Sequence, residues 1–103
     1  MEKVLNLFDD QHWENADEYF NGTLRKVLRD EDGYKTILLR LPKNFKMAPH
    51  THLVTEQNFV VDGQYTYKGE VYAKGTYQIF RPHDEHGPFE SKEGATILVI
   101  WDK

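Results

Sequence analysis

The sequence predicts a single all-β domain built as a barrel or a sandwich. Turn signals such as Asp32-Gly33 and Lys68-Gly69 recur roughly every eight to twelve residues, with short β-branched or aromatic runs between them. No long amphipathic helical pattern is visible, which argues against helix-bundle and Rossmann-type folds. The length of 103 residues corresponds to one domain with a core of limited size.

The first part of the chain is expected to pack on the barrel. Residues 1–22 are assigned to this N-terminal segment and residues 23–103 to the barrel. The apolar residues at its start fit either an entering strand or a helical turn: Val4, Leu5 and Phe8. The aromatic side chains expected to contact the body of the domain are Trp13, Tyr19 and Phe20.

Strands and turns follow in order from residue 23. An extended segment with Leu24, Val27 and Leu28 leads into Asp32-Gly33, a typical hairpin turn. The β-branched and aliphatic run from Tyr34 to Leu41 favours a second strand. Gln57 to Val61 predicts a strand that ends in a turn at Asp62-Gly63. The remaining predicted strands are Tyr65 to Tyr67, Val71 to Tyr72, Thr76 to Phe80 and Ala95 to Trp101.

Composition argues against several classes of protein. The chain has no cysteine, which removes disulfides, thiolate nucleophiles, iron–sulfur clusters and cysteine-type zinc sites. The 13 Lys and Arg residues are scattered and the formal net charge is −4, so nucleic acid is not expected as a partner. No apolar signal region begins the chain and no run reaches transmembrane length, so a cytoplasmic protein without membrane contact is expected.

Three histidines and one glutamate carry the strongest functional signal. His50, Thr51 and His52 read H-x-H, Glu56 follows four residues later, and His86 lies thirty residues beyond Glu56. Residues i and i+2 of a strand face the same side, so His50 and His52 can share one ion. An isolated H-x-H also arises by chance among scattered surface or core histidines. Together the four residues form a nitrogen and oxygen ligand set for a divalent metal.

These ligand types restrict the choice of metal. Neutral imidazole suits zinc, iron, nickel and copper, and a carboxylate shifts the preference toward iron or manganese. One divalent ion is expected, with Fe²⁺ or Zn²⁺ as the first choices and Mn²⁺ or Ni²⁺ as alternatives. Four protein ligands leave one or two coordination positions for water, dioxygen or substrate.

The spacing of these residues resembles the two motifs of the cupin superfamily, the RmlC-like jelly rolls. His50-x-His52-x-x-x-Glu56 followed by Gly63 matches the first motif, and Gly75 followed eleven residues later by His86 matches the second. The similarity is greatest to ChrR-like cupins and to small cupins akin to acetylacetone dioxygenase. Those proteins share a pattern that reads here as Pro82-x-x-x-His86-x-Pro88-Phe89.

Two departures from these motifs fall at glycine positions. Asn44 stands where the first motif often has glycine, and His83 stands at a glycine of the second. Asparagine tolerates left-handed backbone, so the turn at Asn44 is expected to be retained. Both departures leave the four ligands in place.

The resemblance implies a cupin double-stranded β-helix, a jelly-roll barrel, with a metal ion at its inner face held by His50, His52, Glu56 and His86. It implies a metal-dependent enzyme acting on a small molecule, in first place an oxidoreductase of the acetylacetone-dioxygenase type. Two alternatives stay open: a non-catalytic zinc-binding or ligand-sensing module of the ChrR type, and a metal-dependent isomerase. A degenerate cupin without metal is disfavoured because all four ligands are present.

Side chains near the ligands are candidates for substrate contact, although no catalytic residue is assigned. His83 is either a proton shuttle at the pocket mouth or a solvated loop residue. Asn58 and Val60 share the parity of Glu56 and are expected to face the interior. Asn58 would then be a hydrogen-bonding residue beside the metal or a satisfied core amide.

Arg40 and the tyrosines leave more than one possibility open. Arg40 either projects into the barrel to pair with an anionic substrate or lies on the solvent face. Most of the tyrosines in the middle strands are expected to pack, while one phenol, with Tyr77 as a pocket candidate, would donate a hydrogen bond near the metal. Both faces of the last strand, Ala95 to Trp101, look apolar, which fits a closed two-layer body or the contact of a homodimer.

Overall fold

The computed structural model describes residues 2–102, so Met1 and Lys103, the outer ends of the two predicted segments, lie outside the described residues. The all-β prediction is confirmed. Strands lie at β1 (Trp13–Asn15), β2 (Leu24–Glu31), β3 (Tyr34–Leu41), β4 (Phe45–Met47), β5 (Thr55–Tyr67), β6 (Glu70–Ala73), β7 (Tyr77–Phe80), β8 (Phe89–Ser91) and β9 (Ala95–Asp102). Residues 2–12 form neither a strand nor a helix. Within residues 2–102 there is no helix of the length and apolarity needed to cross a membrane.

The long strand β5 connects the two sides of the jelly roll. Its first part pairs with β9 and β7, and its last part, from Gln64 to Tyr67, pairs with β6 and β8. The strand order is β1-β2-β3-β9-β5-β8-β4, and every pairing is antiparallel. One strand that serves both sheets makes the sheet curl around a shared interior, as a cupin barrel requires.

The predicted hairpin at Asp32-Gly33 is confirmed. Glu31 pairs with Tyr34, and the two turn residues have φ of 51° and 84°. Positive φ at both central positions is the geometry of a type I′ turn, whose twist matches that of the flanking strands. The β2–β3 hairpin is therefore specified locally.

The predicted turn at Asp62-Gly63 is wrong, because β5 continues through it. The register against β9 shifts between Val60 and Asp62, which is a β-bulge. Gly63 has φ of 74°, and a Cβ at this position would lie 2.5 Å from the carbonyl oxygen of Gly94. Glycine thus permits β5 and β9 to approach closely where β5 bends from one sheet to the other.

The interior is formed by alternate residues of the central strands. Ile37, Leu39 and Leu41 of β3 lie opposite Val99, Ile97 and Ala95 of β9, and all six are buried. Alternation along a strand places these residues on one face and their neighbours on the other. The cavity described below lies on this inner face.

The N-terminal segment is held on the outer face of the sheet by a buried lysine. Lys26 of β2 is fully buried, and its Nζ donates to the carbonyl of Asn6 at 2.7 Å and to Asp9 Oδ1 at 2.9 Å. The same ammonium lies 4.9 Å from the ring centroid of Trp13. Tyr19, at the end of the segment, packs against the core cluster. The segment is thus attached to the barrel by hydrogen bonds, charge and aromatic packing.

Candidate metal centre

Two histidines of the site are joined through the backbone. His50 precedes β5 and His86 precedes β8, and each accepts from and donates to the other at 2.9 Å as an isolated antiparallel bridge. The backbone N–H of His83 also donates to the carbonyl of His52 at 2.8 Å. These bonds fix the two ligand-bearing loops against each other, although the residues are more than thirty positions apart in sequence.

Glu56 is held by two neighbours at the start of β5. The side chain is buried, its Oε1 lies 2.9 Å from Nε2 of His52, and the indole Nε1 of Trp101 donates to the same oxygen at 2.7 Å. Trp101 lies directly opposite Glu56 in the pairing of β5 with β9. The carboxylate is therefore oriented before any ion binds.

The three imidazoles form a compact cluster around this carboxylate. The ring centroid of His86 lies 4.2 Å from that of His50 and 4.9 Å from that of His52. His86 is 1% exposed, and burial, followed by the nearby His50 and His52, lowers its pKa from 6.5 to about 4. His86 is consequently a neutral imidazole near pH 7, which is the form that coordinates metal ions.

The donor atoms fit a single divalent ion. One ligand atom from each of His50, His52, Glu56 and His86 lies within 4.8 Å of all the others. Two ligands about 2.1 Å from one ion are about 3.0 Å apart at right angles and about 4.2 Å apart on opposite sides. The 2.9 Å contact of His52 with Glu56 matches the first value. The cluster needs only a small contraction to coordinate an ion.

Hydrogen bonding around the cluster also favours a metal ligand role. Nδ1 of His86 is buried without a hydrogen-bond partner among the described residues, and it lies 3.7 Å from Glu56 Oε2. Nδ1 of His50 lies 3.2 Å from the carbonyl of Ala48, which favours a proton on Nδ1 and leaves Nε2 free to coordinate. An orphaned imidazole nitrogen beside a carboxylate is well suited to a cation.

Gly87 allows the two histidine loops to meet. Its φ is 111°, and a Cβ at this position would lie 2.9 Å from the Cα of Pro49. Pro49 and Gly87 are the chain neighbours of His50 and His86. The absence of a side chain at Gly87 thus permits the backbone bridge on which the ligand geometry depends.

A small cavity of about 30 Å³ lies beside the donor atoms. His50 and Glu56 form part of its wall, together with Asn58 and Tyr65. The other residues of its wall are mainly apolar or aromatic: Tyr19, Leu39, Leu41, Phe45, Met47, Phe89, Ile97, Val99 and Trp101. Two of the candidate ligands, His50 and Glu56, therefore face a mostly apolar interior.

Only some of the residues that the sequence suggested for substrate contact lie at this cavity. Asn58 lines it, whereas Val60 is buried in the core without lining it. Tyr77 is 46% exposed and donates to Gln57 Oε1 at 2.8 Å. His83 is exposed and has φ of 69°, so left-handed backbone is retained at this departure from the motif.

Arg40 lies away from the cavity. Its neighbours Leu39 and Leu41 line the cavity, so alternation along β3 directs Arg40 to the opposite face. There its guanidinium carbon lies 4.0 Å from the ring centroid of Trp13. Arg40 thus packs against Trp13 of the N-terminal segment, on the face of β3 opposite the cavity.

Sequence reasoning did not identify Trp101 and could not select Tyr65 among the tyrosines. Trp101 looked like one residue of an apolar last strand, and its partner Glu56 is 45 residues away. Tyr65 was one of several alternating aromatics. The register of β5 with β9 brings Trp101 opposite Glu56, and the register of β5 with β6 places Tyr65 opposite Tyr72. The amino-acid pattern of the separate strands contains neither register.

The sequence of the chain matches the profile of the ChrR cupin-like domain over residues 1–102. This chain belongs to the ChrR cupin-like domain family. No curated protein sequence is significantly similar to this ChrR cupin-like domain.

Solved structures support the cupin fold of this ChrR cupin-like domain. The crystal structure of Rhodobacter sphaeroides SigE in complex with the anti-sigma ChrR matches with a TM-score of 0.74 and 19% identity over 92% of this chain and 51% of that chain. An acetylacetone dioxygenase from Acinetobacter johnsonii matches with a TM-score of 0.81 and 14% identity over 98% of this chain and 74% of that one. KdgF from Halomonas sp. matches with a TM-score of 0.74 and 19% identity over 100% and 94%. This chain thus spans about half of the chain that it matches in the ChrR complex.

Proposed function

We propose that this protein is a metal-dependent enzyme that acts on a small molecule, in the first place an Fe²⁺ dioxygenase similar to acetylacetone dioxygenase. The observation that carries the proposal is a set of three imidazoles and one carboxylate, two members of which, His50 and Glu56, line a mostly apolar cavity. A purely structural ion has no need of a cavity beside its ligands, whereas a catalytic ion requires access for a substrate.

Each residue of the site has a definite part in this proposal. His50, His52, Glu56 and His86 would hold the ion, which when bound would supply a Lewis acid and a redox partner for dioxygen. Trp101 would keep the carboxylate of Glu56 in place through its 2.7 Å hydrogen bond. The apolar wall excludes bulk water, which strengthens electrostatic interactions between the ligands and a bound molecule.

Oxygen uptake tests the proposal directly. Protein loaded with Fe²⁺ is supplied with a panel of short diketones and related ketones, and dioxygen consumption is followed with an electrode. We expect uptake that depends on one substrate and that is lost in Glu56→Gln. His83→Asn, at an exposed left-handed position, should retain it. Absence of turnover with every metal and every compound would refute the enzymatic proposal.

An isomerase built on the same site would give a different result. It would convert a substrate to a product of equal mass without consuming dioxygen, because only protons move. Mass spectrometry of the products from the same panel separates the two reaction classes.

A zinc-binding or ligand-sensing module of the ChrR type is a second candidate, supported by the match to the ChrR cupin-like domain over residues 1–102. This hypothesis predicts that protein purified without chelator contains zinc, shows no turnover and forms a stable complex with a regulatory protein. Elemental analysis and affinity capture from the native cell extract test it. Iron as the bound metal, together with turnover, would exclude it.

We propose further that the protein forms a homodimer through the outer face of its main sheet. Tyr77, Phe59 and Leu98 lie in register across β7, β5 and β9, and Tyr77 is 46% exposed. Neighbouring aromatic and aliphatic side chains on one sheet face are typical of subunit contacts. Light scattering coupled to gel filtration tests this: Leu98→Glu should convert the dimer to a monomer, and a monomeric wild type would contradict the proposal.

A further inference from the structure

The N-terminal segment enters the barrel through a turn that hydrogen bonds hold around Tyr19. The backbone N–H of Ala16 donates to the carbonyl of Thr23 at 3.0 Å, and the backbone N–H of Tyr19 donates to the carbonyl of Ala16 at 3.0 Å. The hydroxyl of Thr23 donates to the carbonyl of Phe20 at 2.6 Å. Ala16 and Thr23 are buried. The backbone that carries Tyr19 is therefore held in one conformation.

Both chain neighbours of Tyr19 are held by side-chain contacts as well. The guanidinium of Arg25, in β2, forms an ion pair with the carboxylate of Glu18. The ring of Phe20 packs edge-on against the ring of Phe45, with 6.1 Å between the centroids. An exposed ion pair adds little to stability, but this one restricts the orientation of the turn. These contacts fix the direction in which the side chain of Tyr19 leaves the turn.

Among residues 2–22, only Tyr19 reaches the wall of the cavity. It lines the cavity together with His50 and Glu56 of the candidate metal centre. Burial raises the pKa of Tyr19 to about 12, and the nearby carboxylate of Glu56 is the next cause. A phenol is protonated at neutral pH in any case, so Tyr19 presents an O–H donor to the cavity beside these ligands.

Other polar groups of the cavity wall already have partners. The side chains of Asn58 and Tyr65 hydrogen-bond each other, and the indole of Trp101 donates to Glu56 at 2.7 Å. By contrast, the hydroxyl of Tyr19 has no hydrogen-bond partner among residues 2–102; the bond of this residue to Ala16 involves only its backbone. Polar groups removed from bulk water are nearly always paired. The partner of this hydroxyl is therefore expected inside the cavity.

We propose that the hydroxyl of Tyr19 donates a hydrogen bond to an oxygen or nitrogen atom of the molecule that binds beside the candidate metal ligands. The N-terminal segment then supplies a binding residue of the site in addition to covering the outer face of the sheet. This inference rests on the proposed function, because it adds a substrate contact at the same metal centre. The competing role for Tyr19 is packing alone, with water on its hydroxyl.

Azide binding to Co²⁺-loaded protein tests the inference without catalysis. Azide is a small anion with nitrogen acceptors, and its binding at an open coordination position changes the visible absorption of Co²⁺. Tyr19→Phe removes only the hydroxyl and keeps the packed ring. We expect the dissociation constant of azide to rise about tenfold, as for the loss of a hydrogen bond to a charged acceptor. The affinity for Co²⁺ and the melting temperature should stay close to those of the wild type.

Tyr65→Phe is the matched control, because this phenol lines the same cavity but hydrogen-bonds with Asn58. Its affinity for azide should equal that of the wild type. Equal azide affinities of the wild type and Tyr19→Phe would overturn the proposal, and so would an equal loss in both variants. Failure of the Co²⁺-loaded wild type to bind azide would overturn it as well, since no open position would then face Tyr19.

The contribution of the turn is tested at Arg25, which does not line the cavity. We expect Arg25→Leu to weaken azide binding about threefold, because the ion pair with Glu18 no longer restricts the turn. The double variant with Tyr19→Phe should bind azide as Tyr19→Phe alone does, which is the result for two residues that act through one contact. Arg29→Leu is the control, since Arg29 pairs with Glu31 at 2.8 Å. Additive losses at Arg25 and Tyr19 would contradict the role of the turn.

This inference and the proposed function fail in different ways. Azide binding that depends on Tyr19, without turnover of any compound by iron-loaded protein, would remove the enzymatic function and leave this contact. Turnover with a kcat/KM that Tyr19→Phe leaves unchanged would do the reverse.

Discussion

The indole of Trp101 donates a 2.7 Å hydrogen bond to Oε1 of Glu56, the same oxygen that lies 2.9 Å from Nε2 of His52. The two residues lie opposite each other across β5 and β9, so the sheet itself orients the only carboxylate of the candidate ligand set. Groups that orient a metal ligand in this way contribute to the affinity of the site without touching the ion.

We expect Trp101→Phe to lower the affinity for Zn²⁺ or Fe²⁺ by about 10–100-fold while leaving one ion bound at saturation. The reason is that Phe retains the ring packing but loses the N–H that holds Glu56. Competition with a chromogenic chelator measures the change. Trp13→Phe is the control, since Trp13 donates to the carbonyl of Asp9 at 2.8 Å and not to a candidate metal ligand. A similar loss of affinity in both variants would argue against the positioning role.

Removal of any one ligand should abolish stable metal binding. Replacing His50, His52 or His86 by Ala, or Glu56 by Gln, leaves three donors, and we expect affinity to fall by more than roughly a hundredfold. Elemental analysis of desalted protein measures the metal content. His83→Asn should keep its full content, because His83 is exposed and bonds to His52 only through its backbone. Equal metal content in ligand variants and control would place the ion elsewhere.

Gly87→Ala should disrupt the metal centre from outside the ligand set. A Cβ at Gly87 would lie 2.9 Å from the Cα of Pro49, so the loop that carries His50 must move away from His86. We expect weaker metal binding and a loss of about 2 kcal/mol or more in the free energy of unfolding. Gly75→Ala is the matched control, because its φ is also positive, at 95°, but a Cβ there meets nothing within 4 Å. If both variants bind metal as the wild type does, the close approach at Gly87 is unimportant.

The buried imidazole of His86 should make the metal-free protein sensitive to acid. Its pKa is lowered to about 4 from 6.5, so between these values the unfolded chain binds a proton that the folded chain excludes. Stability is therefore retained above about pH 6.5 and falls as the pH approaches 4, by roughly 3 kcal/mol for this group. Urea unfolding of the metal-free protein between pH 7 and pH 4 measures how steeply the free energy of unfolding falls with pH.

The matched variants for this experiment are His86→Gln and His83→Asn. The slope should decrease in the first, which has lost the titrating group, and persist in the second, whose imidazole is exposed. A slope that is identical in wild type and His86→Gln would show that other groups cause the acid sensitivity.

Local patterns predicted a large part of the fold and of the site. The hairpin at Asp32-Gly33 follows from turn chemistry that involves only adjacent residues. The β-branched and aliphatic run from Tyr34 to Leu41 predicted β3, and the H-x-H spacing indicated that His50 and His52 lie together. Asn44 has φ of 63°, so the residue that replaces a motif glycine keeps the left-handed backbone expected of it.

Tertiary structure decided the features that depend on strand register. Asp62-Gly63 is a common turn signal, yet here it lies at a bulge within β5, because both residues pair with β9 and the chain beyond them pairs with β6. Three other features likewise depend on which residues of distant strands come opposite each other. They are the hydrogen bond between Trp101 and Glu56, the position of Tyr65 at the cavity and the outward position of Arg40. Alternation and turn chemistry are properties of neighbouring residues, so they can be read along the chain. Register follows from the packing of the whole barrel, because a shift by one residue would exchange its inner and outer faces.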